Sequence, residues 1–149
     1  MGDYAAAIGT TGFDYTLTFN VPNPPPSIPP TGAFVQANGL RATDFTDGLT
    51  STLFFGEKHV PRKLEAKYPY DCGMYDGHNI ICSTRSAGPG FPIAQGAFDM
   101  SIAFGGSHVG ICQFAFADGS VRPVRSAIDE LTLGLLSDRS DGLPVPSDY

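Results

Sequence analysis

From residue 111 onward, Ile111, Gln113, Ala115 and Ala117 alternate with Cys112, Phe114 and Phe116, a period of two that predicts a well-buried strand. Asp118-Gly119 follows as the two-residue signature of a type I′ hairpin turn, with glycine where positive φ is needed. Residues 120–124 then form the return strand. Pro123 has no amide to give a ladder, so that strand lies at an edge or ends early. The apolar run at 52–58, with Leu53, Phe54 and Phe55 and no helix signal, reads as another strand. So do residues 99–104, where Met100, Ile102 and Phe104 alternate with smaller or polar residues. Residues 33–38 suit a short strand, and the first fifteen residues suit one short strand or turn.

One helix is predicted, at about 127–138. Ser126 begins a capping-box-like start, with Asp129 and Glu130 in the first turn, where the helix dipole favours carboxylates. Ile128, Leu131, Leu135 and Leu136 fall on one face, Arg139 suits the C-terminal end, and Gly142 stops the pattern before Pro144 and Pro146. Residues 43–48 read as a helical turn capped by Thr43 or Asp44 and ended by Gly48. Residues 20–30 hold six prolines and exclude helix or central strand, leaving polyproline II or an extended surface loop. Residues 59–96 show no sustained period and read as a long irregular excursion. The fold class that follows is α+β: a single domain over residues 1–149, with a small antiparallel sheet, one docked C-terminal helix and long loops.

Composition agrees with a loop-rich β domain. The chain has 149 residues, with 18 glycines, 13 prolines and only 16% charged residues. That length suffices to bury about two-thirds of the unfolded surface in one core. The net charge is −6 and the nine basic residues read as spread along the chain, which argues against a nucleic-acid partner. No run of about 18 apolar residues is present to serve as a membrane span.

Three ordered blocks carry a family resemblance. His108 is followed after nine residues by Asp118-Gly119 within Phe-Ala-Asp-Gly-Ser-Val-Arg; Asp47-Gly48-Leu49-Thr50-Ser51-Thr52-Leu53 leads to Gly56-Glu57-Lys58; and Gly2-Asp3-Tyr4-Ala5 precedes Gly9-Thr10. Together they resemble the prepilin-like proteins abundant in planctomycetes, over residues 2 to about 142. The resemblance implies a type IV pilin- or pseudopilin-like globular head that belongs behind a long apolar N-terminal helix. It also implies an extracytoplasmic location, other pilin-like subunits as partners through that helix, and a membrane contact only through it. In those proteins the Gly-Asp-Tyr block lies mid-chain, so the expectation is that this sequence is the soluble C-terminal part.

The candidate chemistry is sparse. Cys72 and Cys82 bracket nine residues and either close a disulfide, which export would permit, or bind zinc with His78 between them; Cys112 on the core strand reads as a buried free thiol. His108 and Asp118 invite a metal or proton-relay reading, but a turn explains Asp118, and a glycine-rich loop gives His108 backbone groups to bond. Calcium would find hard oxygens in Asp44, Asp47 and Glu57, with Asp138 and Asp141-Gly142 a partial echo of a calcium loop. No nucleophile elbow, zinc-protease helix or phosphate loop occurs, so the expectation is a non-enzyme without a cofactor. Two readings remain. One is a structural subunit, whose motif residues are His108, Asp118, Gly119, Asp47, Gly48 and Glu57. The other is an exported binding module, whose Tyr68, Tyr70, Tyr75 and His78 loop recognises a glycan or protein.

Overall fold

The computed structural model describes residues 2–10, 31–35, 39–73, 75, 80–147 and 149. The alternation at 111–116 becomes β4 (Ile111–Phe116), which buries Cys112, Phe114 and Phe116 and leaves Ile111, Gln113 and Ala115 half-buried on the other face. It pairs antiparallel with β5 (Val121–Arg125) on one side and β2 (Leu53–Glu57) on the other. β2 pairs antiparallel with β1 (Tyr4–Ala7), and β3 (Thr84–Arg85) adds to β1 in parallel, giving the order β3-β1-β2-β4-β5. The sheet is therefore mixed rather than purely antiparallel. The two residues of β3 come back from the long 58–83 connection that follows β2, which is free to run in either direction because no hairpin constrains it. Pro123 lies on an edge strand, as its missing amide requires.

α1 (Glu130–Ser137) starts later than the sequence suggests, because the Asp129 side chain, rather than Ser126, caps it by accepting from the Thr132 amide at 2.9 Å. That phase turns Leu133 and Leu136 into the core and leaves Leu131 exposed. The helix face also carries Gly134, where an added Cβ would sit 3.1 Å from Pro89 Cδ and 3.6 Å from Gly88 Cα, so the helix approaches the 88–89 backbone closely. The core comprises Ala5, Ala7, Leu53, Ala87, Ile93, Phe104, Cys112, Phe114, Phe116, Val124, Leu133 and Leu136.

The hairpin turn differs from the expected two-residue type I′. The Gly119 amide bonds the Phe116 carbonyl and the Phe116 amide bonds Ser120, so the loop is the three residues 117–119. Gly119 alone there takes positive φ, at +85°. This is a three-residue loop ending in a bulge glycine, for which Asp-Gly is equally suited. Residues 99–103 form a loop instead of a strand, because the Asp99 carboxylate captures the amides of Gln95 and Ser101 and leaves only Phe104 to bridge Lys58. Residues 43–48 resolve into a 3₁₀ turn at Ala42–Asp44, followed after Gly48 by a second at Leu49–Ser51. Residues 33–35 form no strand, while 36–38 and the proline-rich 20–30 lie outside the described residues.

The irregular excursion hides the largest surprise, a buried charged cluster. Arg85 is fully buried and donates to the carbonyls of Ala103, Ile81, Thr84 and Tyr70. Lys58, equally buried, sits 3.7 Å from the Asp71 carboxylate and donates to the Cys82 carbonyl at 3.4 Å. Burial, joined by the Arg85 charge, pushes the Lys58 ammonium below its ordinary range, with Asp71 opposing. Beside this cluster Cys72 and Cys82 form a disulfide. Both sulfurs are thereby used, so the zinc alternative loses its thiolates; its third member, His78, lies outside the described residues. Among the described residues, no helix is long and apolar enough to cross a membrane.

Replacing Cys72 and Cys82 together by Ala is expected to lower the unfolding free energy by about 2–4 kcal/mol, through the entropy of the opened loop. A urea titration measures it, and an unchanged midpoint would mean the Lys58–Asp71 contact closes this loop unaided.

Candidate functional site

The end of β2 and the residue after it place three consecutive positions in three different environments. Gly56 faces the core, where a Cβ would strike the rings of Phe114 and Phe104, so only glycine lets those rings pack across the strand. Lys58 turns inward to Asp71. Between them Glu57 lies on the opposite face of the sheet, its side chain 14% exposed. One carboxylate oxygen, Oε2, accepts the Gln113 amide at 2.8 Å, and the other, Oε1, lies 3.3 Å from His108 Nε2.

The Gly105-Gly106 pair explains how the His108 loop reaches this carboxylate. The Gly105 amide bonds the Glu57 carbonyl at 2.9 Å, and a Cβ on Gly106 would run into the Glu57 carboxylate itself. His108 remains 54% exposed, clasping Glu57 from the solvent side. A cleft of about 290 Å³ opens beside the pair, lined among others by Asp3, Glu57, His59 and Gly106. The His59 ring is spent on the Asp99 carbonyl at 2.7 Å.

The structure separates the two residues that the sequence spacing joins. His108 precedes β4 and Asp118 follows it, so the strand holds them at its opposite ends, about 17 Å of extended chain apart. Asp118 Oδ1 accepts from the Ser120 amide and hydroxyl at 2.9 and 2.7 Å, bonds that hold its carboxyl below the usual range. Asp47 accepts the amides of Asp141 and Gly142 at 2.7 and 2.9 Å and so fastens the tail after α1. Asp44 accepts the Arg41 amide, and Gly48 takes φ +96° ahead of the second 3₁₀ turn. The calcium candidates Asp44, Asp47 and Glu57 are thus each committed to a different backbone contact. Among the described residues no group of three or more His, Cys, Asp or Glu stands close enough to hold a metal ion.

Cys112 is buried and its thiol is pushed up to about 12 by burial, reinforced by the Glu57 charge, so it stays protonated and inert. In the tyrosine loop, Tyr75 is 93% exposed and Tyr68 is exposed, whereas Tyr70 is half-buried. The contact that sequence reading missed is Glu57–His108. Its signal was the glycine doublet immediately before His108, which marks a backbone passing close to something bulky.

What the fold and site define is a small α+β domain whose motif residues fasten loops to the two ends of a mixed sheet. The profile of the family described as "Protein of unknown function (DUF1559)" matches residues 9–131, and the chain belongs to that family. Neither the curated proteins nor the solved structures contain a match.

Glu57→Ala is expected to cost about 1–3 kcal/mol, because it strands the Gln113 amide. His108→Ala, which removes only a half-exposed partner, should cost about 1 kcal/mol or less. Denaturant titration of both proteins gives the ranking, and the reverse order would place the anchor on the histidine. Asp141 supplies a pH test. Burial and the charges of Asp47 and Asp138 raise its carboxyl above the ordinary value, so the folded state binds its proton more tightly than the unfolded one. That penalty is absent at low pH and appears as pH rises through the carboxylate range. Asp141→Asn should therefore melt higher than wild type at neutral pH and equally in acid, a pattern that thermal scans at the two pH values would reveal.

Proposed function

We propose that this domain is a non-enzymatic structural subunit, the globular head of a type IV pilin- or pseudopilin-like protein in an envelope filament or secretion system. The observation that carries the reading is the sheet face turned away from the core. Ala6, Phe55, Ala115 and Val121 stand in cross-strand register through β1, β2, β4 and β5, forming one apolar row. Phe55 is 39% exposed although it sits on the central strand, and Val121 is 68% exposed. Phe34, Phe54 and Phe55 cluster with ring centroids 4.6–5.0 Å apart, and a cleft of about 410 Å³ lined by Phe34, Leu40, Phe45, Leu49, Phe54 and Ala117 adjoins them.

An apolar surface of this kind gains by being covered. The helix that the prepilin-like resemblance supplies ahead of the head is the cover of matching chemistry, and through such helices neighbouring subunits would assemble. Support comes also from the motif residues, since Glu57, Asp47 and Asp118 are occupied with backbone amides. An extracytoplasmic location agrees with the Cys72–Cys82 disulfide, which persists in oxidising compartments. The net charge of −6 disfavours nucleic acid as a partner, and the reading requires no cofactor. The second reading, an exported binding module, draws on the exposed Tyr75 and Tyr68, whose rings offer contact area to a glycan or protein.

N-terminal sequencing and intact mass of the protein isolated from the cell envelope test the proposal. A processed N-terminus on a long apolar helix upstream of Gly2 is the expected result. A mature protein without that helix would overturn the subunit reading and leave the binding module.

A further inference from the structure

The chain's three lysines, which read in sequence as part of a scatter, fall together at 58, 63 and 67, with Arg62 among them. Lys58 is buried against Asp71, but Arg62, Lys63 and Lys67 are all exposed on the loop 61–71, where Glu65 is the exposed carboxylate. This loop is ordered. The Arg62 amide bonds Ala97 at 2.6 Å, the Asp71 amide bonds Lys67 at 2.9 Å, and the Ala66 amide bonds the Asp71 carboxylate at 2.7 Å. Lys63 and Ala66 hold positive φ, at 75° and 59°, where glycine would be unstrained. Next to the loop stands Phe98, 66% exposed, with the Arg62 guanidinium 6.0 Å from its ring.

The opposite end of the sheet carries the contrary charge. β2 runs between the two ends: residues 61–71 lie beyond its Glu57 end, while the 117–119 turn closes on its Leu53 end, where the Asp118 amide bonds Leu49. Asp118 is joined there by Asp47, whose carboxylate holds the Asp141 and Gly142 amides, and by Asp138 and Asp141 themselves. Burial, with the neighbouring charges of Asp47 and Asp138, raises the Asp141 carboxyl. Arg122 and Arg139 also lie near this end, donating to the carbonyls of Thr50 and Gly32, and the Arg122 charge helps hold Asp118 low, so the four carboxylates outnumber the guanidiniums there.

We infer that the ordered basic loop 61–71, with Phe98 beside it, is a docking surface for the acidic end of a second copy of this chain, so that copies associate head to tail. The inference deepens the subunit reading and rests on it. A contact between two different surfaces of the same chain does not close on itself in pairs, and propagates into rows as a structural subunit requires. Arg62 beside the exposed Phe98 supplies the residue types that carry interfaces, and the lysines supply charge. Complementary charge on the two ends sets the register and disfavours the tail-to-tail alternative.

Sedimentation equilibrium of the isolated domain, in low and in high salt, is the test. Association is expected at about 10 mM salt and its loss at about 1 M, where the screening length falls from about 30 Å to about 3 Å. Lys63→Glu with Lys67→Glu should weaken it by about tenfold or more, since like charges then face each other. Asp138→Asn with Asp141→Asn should weaken it at the partner surface while keeping the oxygens that accept the Ser140 and Leu143 amides. Melting temperatures at or above that of wild type show that these variants fold. Zero-length carboxyl–amine cross-linking should join Lys63 or Lys67 to Asp118, Asp138 or Asp141 of another molecule. A domain that stays monomeric in low salt, an association indifferent to salt or to the lysine pair, or binding of dextran sulfate by this loop without self-association would each overturn the inference. A monomeric domain together with a processed apolar N-terminus in the envelope protein would reject this contact and leave the subunit reading standing.

Discussion

The closure of Phe104 and Phe114 over Gly56 is the contact on which the remaining structure depends. The two rings meet at 5.1 Å between centroids, with planes at 67°, and they can do so only because the strand between them has no side chain at that point. This packing draws the 104–106 segment onto the end of β2, where the Gly105 amide finds the Glu57 carbonyl. The His108 loop is thereby delivered to the Glu57 carboxylate, and β4 begins in register. A larger residue at 56 would move the rings, the loop and the carboxylate contact together.

A different economy holds the excursion between β2 and β4. It has few large apolar residues to bury and uses charge instead. The Arg85 guanidinium gathers four carbonyls from three segments, and Lys58 reaches both Asp71 and the Cys82 carbonyl. Buried ions of this kind contribute little net stability against an apolar alternative, but removing one partner strands the other. Their value lies in specificity, since the fork of Arg85 fits one arrangement of carbonyl oxygens. The disulfide then closes the same region covalently. The result is an exposed loop, 61–71, kept in one conformation from beneath.

These features divide the domain into parts with separate uses. One sheet face packs the core and α1; the other carries the apolar Ala6–Phe55–Ala115–Val121 row. One sheet end is acidic and the other carries the chain's exposed lysines. A catalytic domain converges polar groups on a cleft. Here Glu57 lies at one end of the sheet and Asp47 and Asp118 at the other, each satisfying backbone amides. These carboxylates serve the fold, and the proposed assembly rests on faces and ends.

The sequence alone determined what depends on local chemistry. Alternation placed β4, Pro123 put β5 at an edge, Asp118-Gly119 marked a turn, and the family blocks pointed to the residues that fasten loops. Where several local patterns competed, tertiary contacts decided. Asp129 outbid Ser126 as the cap and rotated α1, so Leu133 is buried and Leu131 is not. Asp99 turned an alternating run into a loop by binding nearby amides. The parallel strand β3, the burial of Arg85 and the Glu57–His108 contact were illegible because each joins residues 40 or more positions from its partner, or buries a residue type that usually seeks water. Periodicity reports how a segment meets its surroundings; it carries no record of which distant segment will supply them.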